Sequence, residues 1–330
     1  MRHSVASETA PADRKQFAED VSYYLSLSPR QLPSRYLYDG LGSALFEAIS
    51  RLPWYRITRT ETRLLAARAG QILARVRPLS TLVELGPGGG EKPAALLAGH
   101  EGRAVTVHLI DVSAAALDAA TRSLGADARL VVVPHQATYE EGLAEIAHGR
   151  PGAGRTLALF LGSNIGNFDP PGADALLQNI RAALATGDSL LLGTDLVRSE
   201  SDLLVAYDDP LGVTAAFNRN LLVRANRELG ANFNVRRFAH RAVWNGGESR
   251  VEMHLVSTRR QHVSIPASSL EITFVEGETV WTESSYKYRP HEVIEMLDRA
   301  GFATRDQWTD DGFALTLAEA GRPRQDAGRG

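Results

Sequence analysis

The sequence predicts an α/β protein, a mostly parallel sheet wrapped by helices, with a second, mixed α+β domain inserted near its end. Three observations predict it. Short apolar runs alternate with helix-patterned stretches of about 10 to 15 residues from Thr81 to Asp195. After Asp195 that alternation stops and two runs of period-two patterning follow. A helix over His291 to Ala300 and a strand near Phe313 to Leu317 then supply the closing elements of the first sheet.

From Arg14 to about Leu27, Phe17, Val21, Tyr24 and Leu25 share one broad helical face. A short helix is predicted through Ser43 to Leu52, ahead of Pro53, and another opens at Thr60 and Glu61 and continues through Leu64, Leu65 and Ala69 to Leu73. Tyr36, Tyr38, Trp54 and Tyr55 gather in this polar stretch, which reads as an aromatic segment packing with the second domain. Thr81 to Leu85 is the first strand of the sheet and leads into GPGGGEKPAALLAGH, a glycine loop followed by a helix. Ala104–Ile110, Arg129–Val133, Thr156–Leu161 and Ser189–Asp195 supply the next strands, with helices at Ser113–Ser123, Tyr139–Ala147 and Asp174–Leu184. Beyond Asp195, SDLLVAYDDPLGVTAAFNRNLLVRANRELG reads as a helical region. RVEMHLVSTRRQHVSI and LEITFVEGETVWTESSYKY read as antiparallel strands. The closing stretch AGRPRQDAGRG loses apolar periodicity and reads as a frayed tail.

Composition narrows the chemistry. With 36 basic and 39 acidic residues the formal charge is -3, which gives no footprint for nucleic acid or an anionic membrane. The absence of cysteine excludes thiolate nucleophiles, disulfides and cysteine-based zinc sites. None of the nine histidines sits in HExxH or another ligand spacing, so no metal site is predicted. Neither a signal-peptide core in MRHSVASETAPADRKQ nor a run of about 18 apolar residues is present, and a cytoplasmic protein is expected. Lysine occurs at three positions only, Lys15, Lys92 and Lys287, and the last two fall inside motifs.

The first motif is VELGPGGGEK, Val83 to Lys92. Its glycines make a tight turn between strand and helix, where side chains would obstruct a ligand and the helix start offers backbone N–H groups. The spacing is neither G-x-G-x-x-G, since Glu91 stands where a glycine is needed, nor a P-loop. Glu84 can organise the loop and a bound amine, and Asp111, ending the second strand, can accept from two ribose hydroxyls. An acidic residue opening the loop and a second at the next strand end looks like the methyltransferase version of the fold, which binds S-adenosylmethionine.

Longer blocks carry a closer resemblance. YLYDGLGSALFEAISRLPWYRITRTE, LVELGPGGGEK, FLGSNIGNFDP, LLLGTDLV, AYDDPLGVTAAFNRN, NRELGANF, RVEMHLVS and TESSYKYRP together resemble the S-adenosylmethionine-dependent L-histidine Nα-methyltransferases of ergothioneine biosynthesis, over nearly the whole chain. The resemblance implies a Rossmann-like class I methyltransferase sheet with a second, mixed α+β substrate-binding domain. It divides the chain into residues 14–58 and 197–285 for the substrate-binding domain, 59–196 and 286–320 for the methyltransferase domain, and a flexible tail at 321–330. It implies a cytoplasmic monomer with a small amino-acid substrate and S-adenosyl-L-methionine as cofactor, trimethylating histidine to hercynine. In matching positions Asn167 and Tyr207 hold the amino and carboxylate end, Glu283 and Ser285 bind the imidazole, Tyr55 lines that pocket, and Phe46 and Met253 wall it. Tyr38 falls at the boundary of substrate and cofactor; together Tyr38, Asn167 and Tyr207 are the catalytic candidates. Gly86, Lys92, Asp111, Thr138 and Tyr139 carry over as cofactor contacts. A carboxylate can accept an imidazole N–H while a hydroxyl serves the other ring nitrogen, a pairing that a phenyl ring cannot satisfy.

The chain departs from the family pattern at several places. Thr138 stands where an acidic residue commonly contacts adenine, Trp54 and Arg56 alter the LPxYYxTRTE form, and Tyr286 replaces the cysteine of TExSCK. Plain structural roles are open as well: core packing for Tyr55, Phe46 and Met253, a turn before Pro210 for Tyr207, a surface ion pair for Glu283, a helix surface for Lys92 and helix capping for Asp111. The alternatives are an Nα-methyltransferase acting on another amino acid, such as tryptophan or a derivative, and a non-catalytic binding protein.

Overall fold

A computed structural model describes residues 11–100, 102, 104–148 and 154–321. The leader reading of the first ten residues, and all of the predicted tail stretch AGRPRQDAGRG but Ala320 and Gly321, lie outside them. The chain opens with α1 (Pro11–Ser26), β1 (Arg30–Gln31), α2 (Gly40–Ser50) and α3 (Ile57–Arg75). Next come β2 (Leu79–Leu85), α4 (Glu91–Leu97), β3 (Val105–Asp111), α5 (Ala114–Leu124), β4 (Leu130–Gln136), α6 (Tyr139–His148), β5 (Arg155–Phe160), α7 (Pro170–Ala183) and β6 (Ser189–Asp195). Then follow α8 (Glu200–Tyr207), α9 (Val213–Leu229), β7 (Phe238–Asn245), β8 (Arg250–Ser257), β9 (Gln261–Ile265), β10 (Leu270–Phe274) and β11 (Thr279–Tyr286). The chain closes with α10 (Pro290–Arg299), β12 (Phe302–Asp310) and β13 (Phe313–Ala320).

These elements form two compact units. One comprises Met1–Tyr55 and Ser199–Ser284, the other Arg56–Arg198 and Ser285–Gly330. In the second unit seven strands run in the order β12-β13-β6-β5-β2-β3-β4. β2 to β6 are parallel, and β13 enters antiparallel between β6 and β12. Both faces are covered: six of seven β2 positions and all seven of β6 are buried, their polar residues included. The chain goes from β2 outward to β3 and β4, then returns to place β5 on the other side of β2. This reversal leaves a crevice beyond the carboxyl ends of β2 and β5, where the glycine loop and GSNIGNF stand.

The first unit is built around α9. Thr214, Ala215, Phe217, Asn218, Asn220, Leu221, Leu222, Ala225 and Leu229 bury a broad face of it, leaving Ala216, Val223 and Arg227 exposed on the other. It packs against α2, β7 and β8, and its C-terminus ends at Gly230 in the left-handed conformation. Asp39 caps α2 by accepting from Gly42 N–H at 2.7 Å, and it also accepts from Asn220 at 2.7 Å and Arg227 at 2.7 Å on α9. A four-stranded sheet, β1-β11-β8-β7, and the β9–β10 hairpin complete the unit.

Several elements differ from the sequence reading. The expected continuous helical region is split by Asp208–Gly212, where Asp209 accepts from the N–H groups of Leu211, Val213 and Thr214 and so starts α9 afresh. α7 begins four residues before the predicted Asp174, because Asp169 caps it and Pro170 fits its first turn. The strands β1, β7 and β12 were not anticipated. β12 is a sheet edge with a register shift between Thr304 and Asp306, and its polar, half-exposed positions blur the period of two. Among the described residues no helix is long and apolar enough to cross a membrane.

Candidate active site

The glycine loop leaves β2 with Gly86 at φ +73, a conformation costly for any residue with a side chain. A Cβ there would lie 2.9 Å from both the Asn164 amide nitrogen and the Tyr139 hydroxyl. Gly86, Asn164 and Tyr139 thus meet at close range, after β2, after β5 and at the start of α6 respectively. Tyr139 packs on the core edge-to-face with Phe160, and burial raises its phenol pKa well above the ordinary value. Thr138 has a different employment: its backbone N–H and hydroxyl donate to Glu141 at 3.0 Å, and its Oγ1 accepts from Glu141 N–H. That reciprocal pair is a capping box for α6, and T-x-x-E in the sequence was its signal.

Glu84 is fully buried just before the loop, and its Oε2 has no hydrogen-bond partner among the described residues. Burial raises its pKa well above 4.5; Lys92 opposes that rise, and Glu61 and Glu91 add to it. Lys92 itself pairs with the buried Glu61 at 2.6 Å, and Glu61 also accepts from Gly162 N–H at 2.7 Å. Glu61 therefore ties α3 to α4 and to the end of β5. Asp111 ends β3 with Oδ1 accepting from Ser113 N–H at 2.8 Å; burial raises its pKa, and the N–H groups of Ser113 and Val112 restrain the rise. Ser113, not Asp111, caps α5. An orphaned buried carboxyl group, a loop too tight for a Cβ and a carboxylate at the next strand end suit a ligand bearing an amine and a ribose, as S-adenosylmethionine does.

On the same unit, Ser163 takes the left-handed conformation at φ 58 and accepts from Asp195 N–H at 2.9 Å. The turn Asn164–Asn167 follows it. A Cβ on Gly166 would stand 2.7 Å from the Tyr286 carbonyl oxygen, so only glycine lets this turn come so close to the end of β11. Ser285 lies there, buried, and accepts from Lys287 Nζ at 2.7 Å.

In the other unit, Tyr38, Phe46, Tyr55 and Tyr207 form one aromatic cluster. Ring centroids are separated by 5.6 Å for Tyr38–Phe46, 6.1 Å for Phe46–Tyr55 and 6.5 Å for Tyr55–Tyr207. Phe217 joins it, 5.4 Å from Tyr38 and 6.0 Å from Phe46. The Tyr207 carbonyl meets His240 Nε2 at 2.7 Å, and His240 Nδ1 meets the Asn218 amide nitrogen at 2.9 Å. Burial lowers the His240 pKa, so the ring is neutral, donating through Nε2 and accepting through Nδ1. Met253 is buried on β8, its carbonyl accepting from Thr282 Oγ1 at 3.0 Å. Glu283 is buried on β11, two residues before Ser285, so the two side chains share a strand face.

Phe217, His240, Asn218, Glu61 and Asn164 were not among the predicted site residues. Phe217 and Asn218 lay within a quoted block, and Glu61 closed TRTE, but each acts through a contact distant in sequence that no local spacing encodes. Arg56, a departure from the family form, is half-exposed and pairs with Asp311 at 3.3 Å. Among the described residues no set of three or more His, Asp or Glu is gathered for a metal ion.

The family described as "Histidine-specific methyltransferase, SAM-dependent" matches residues 17–320. A histidine N-alpha-methyltransferase of Mycolicibacterium smegmatis is 43% identical, over 91% of this chain and 93% of that protein. One from Mycobacterium tuberculosis is 42% identical, over 96% and 99%. Ergothioneine biosynthesis protein 1 of Neurospora crassa is 27% identical over 85% of this chain and 32% of its own length.

Proposed function

Because the chain belongs to the family of histidine-specific, S-adenosylmethionine-dependent methyltransferases, we propose that it transfers three methyl groups in succession to the α-amine of L-histidine. The products are hercynine and S-adenosylhomocysteine, within ergothioneine biosynthesis. The observation that supports the substrate is the shared face of Glu283 and Ser285 on β11, a buried carboxylate and hydroxyl that can serve the two nitrogens of one ring.

The cofactor supplies an electrophilic methyl group on a sulfonium centre. Glu84, Gly86, Lys92, Asp111, Thr138 and Tyr139 are the residues assigned to hold it. Asn167 and Tyr207 orient the amino and carboxylate end of the amino acid, and Tyr38, Phe46, Tyr55 and Met253 supply aromatic and apolar surface. Orientation is the main catalytic contribution, since the attacking nitrogen must line up with the departing sulfur. No general base is assigned: an α-amine with a pKa of about 8 has a neutral fraction near neutrality, and its proton goes to water. Tyrosine and asparagine contacts can select that neutral amine and still accommodate added methyl groups, which an ionic clamp would resist.

The enzyme is taken to act in the cytoplasm as a monomer, which light scattering would report as a mass near 35.8 kDa. The decisive experiment incubates the protein with S-adenosylmethionine and each of the twenty amino acids, following S-adenosylhomocysteine and product mass. Three added methyl masses on histidine are expected. Turnover on another amino acid alone, or on none, overturns the proposal.

A further inference from the structure

Lys287 is the one lysine of three whose side chain has no exposed surface. Its Nζ stands 3.0 Å from Asp195 Oδ2 at the end of β6 and donates to Ser285 Oγ at 2.7 Å. Asp195 is shared: Arg198 pairs with its other oxygen, and Asp195 N–H is held by Ser163. A buried lysine and a partly buried arginine therefore lean on one carboxylate, beside a serine assigned to substrate.

An ammonium group can only donate, so one Ser285 lone pair is already engaged. Donation from a charged group also draws electron density from the hydroxyl oxygen, making its O–H a stronger donor and its remaining lone pair a weaker acceptor. The surrounding positive charge acts in the same sense, repelling a second cation brought to Ser285. We propose that Lys287 is a positioning residue that commits Ser285 to donating, so that the Glu283–Ser285 pair reads the neutral imidazole of histidine: Glu283 accepts the ring N–H and Ser285 donates to the bare nitrogen. The inference rests on the histidine reading above. Imidazolium carries two N–H groups and no acceptor, so it loses the Ser285 hydrogen bond and meets the Lys287 charge. A lysine that merely pins the chain after β11 to β6 would leave ring protonation without effect on binding.

The test compares L-histidine with β-(1,2,4-triazol-3-yl)-L-alanine, which shares the α-amine and carboxylate but has a far less basic ring. Calorimetric dissociation constants are measured from pH 5 to 8 with S-adenosylhomocysteine present, and the ratio of the two affinities isolates ring protonation. In the wild type the relative affinity for histidine falls, approaching tenfold per pH unit, below a ring pKa of about 6.5. In Lys287→Met the fall flattens to less than about threefold over the same unit. A flat or rising wild-type ratio overturns the inference whether or not the variant folds. An equally steep fall in a folded Lys287→Met overturns it too. Absence of histidine binding and turnover at every pH refutes the histidine reading itself, and the inference with it.

Discussion

Glu84 is a carboxyl group closed off from water whose Oε2 has no hydrogen-bond partner among the described residues, which favours its protonated form. Its folded pKa lies above 4.5, so between that value and the folded pKa the native state holds a proton that the unfolded chain has released. Its stabilising contribution is complete below pH 4.5 and is lost as the pH rises through the folded value. Glu84→Gln keeps the neutral shape at every pH. The melting temperature of the variant should therefore gain on the wild type steadily as pH rises above 4.5 in the absence of cofactor, and a constant difference across pH would refute this reading. Residues such as Glu84, Gly86 and Asp111 were legible because an acid, a glycine run and a second acid stand at the ends of readable strands. Glu61 and His240 were not, since their significance lies in a backbone amide and a carbonyl brought to them from other elements.

Within the elements, strand ends decide where side chains can act. β2 and β6 were readable because each, buried at nearly every position, carries an apolar run, Leu82–Val83 and Leu190–Leu192. β7 and β12 escaped because half-exposed strands carry Arg, His and Asp at positions that break alternation. The turn after β2 supplies a prediction on this scale. Gly86→Ala must hold a left-handed conformation costing about 1–2 kcal/mol, and its Cβ would press on Asn164 and Tyr139 at 2.9 Å. Affinity for S-adenosylhomocysteine should fall roughly fivefold to thirtyfold by calorimetry, while far-ultraviolet circular dichroism is unchanged; unaltered affinity would remove Gly86 from the cofactor assignment.

For the molecule as a whole, the consequential fact is that one unit is assembled from two stretches of chain, Met1–Tyr55 and Ser199–Ser284. Asp39 links them by capping α2 and holding Asn220 and Arg227 of α9. Burial pushes its pKa up, but the Arg227, Gly42 and Asn220 hydrogen bonds prevail and hold it below 3.8. Asp39→Ala should lose about 1–2 kcal/mol of stability in urea titrations at neutral pH, the range of a helix cap. The loss should shrink as pH falls and the wild-type carboxylate is protonated, because a lowered pKa gives stability that acid removes. A loss of equal size at acid pH would count against the charged link.

The burial of Lys287 also has a practical side. Of the three lysine side chains, Lys287 is sealed, Lys92 is one-fifth exposed and held by Glu61, and Lys15 on α1 is 80% exposed. An amine-directed dye or crosslinker therefore finds one open side-chain handle, on the first helix. Labelling through Lys15 leaves the residues assigned to either ligand untouched.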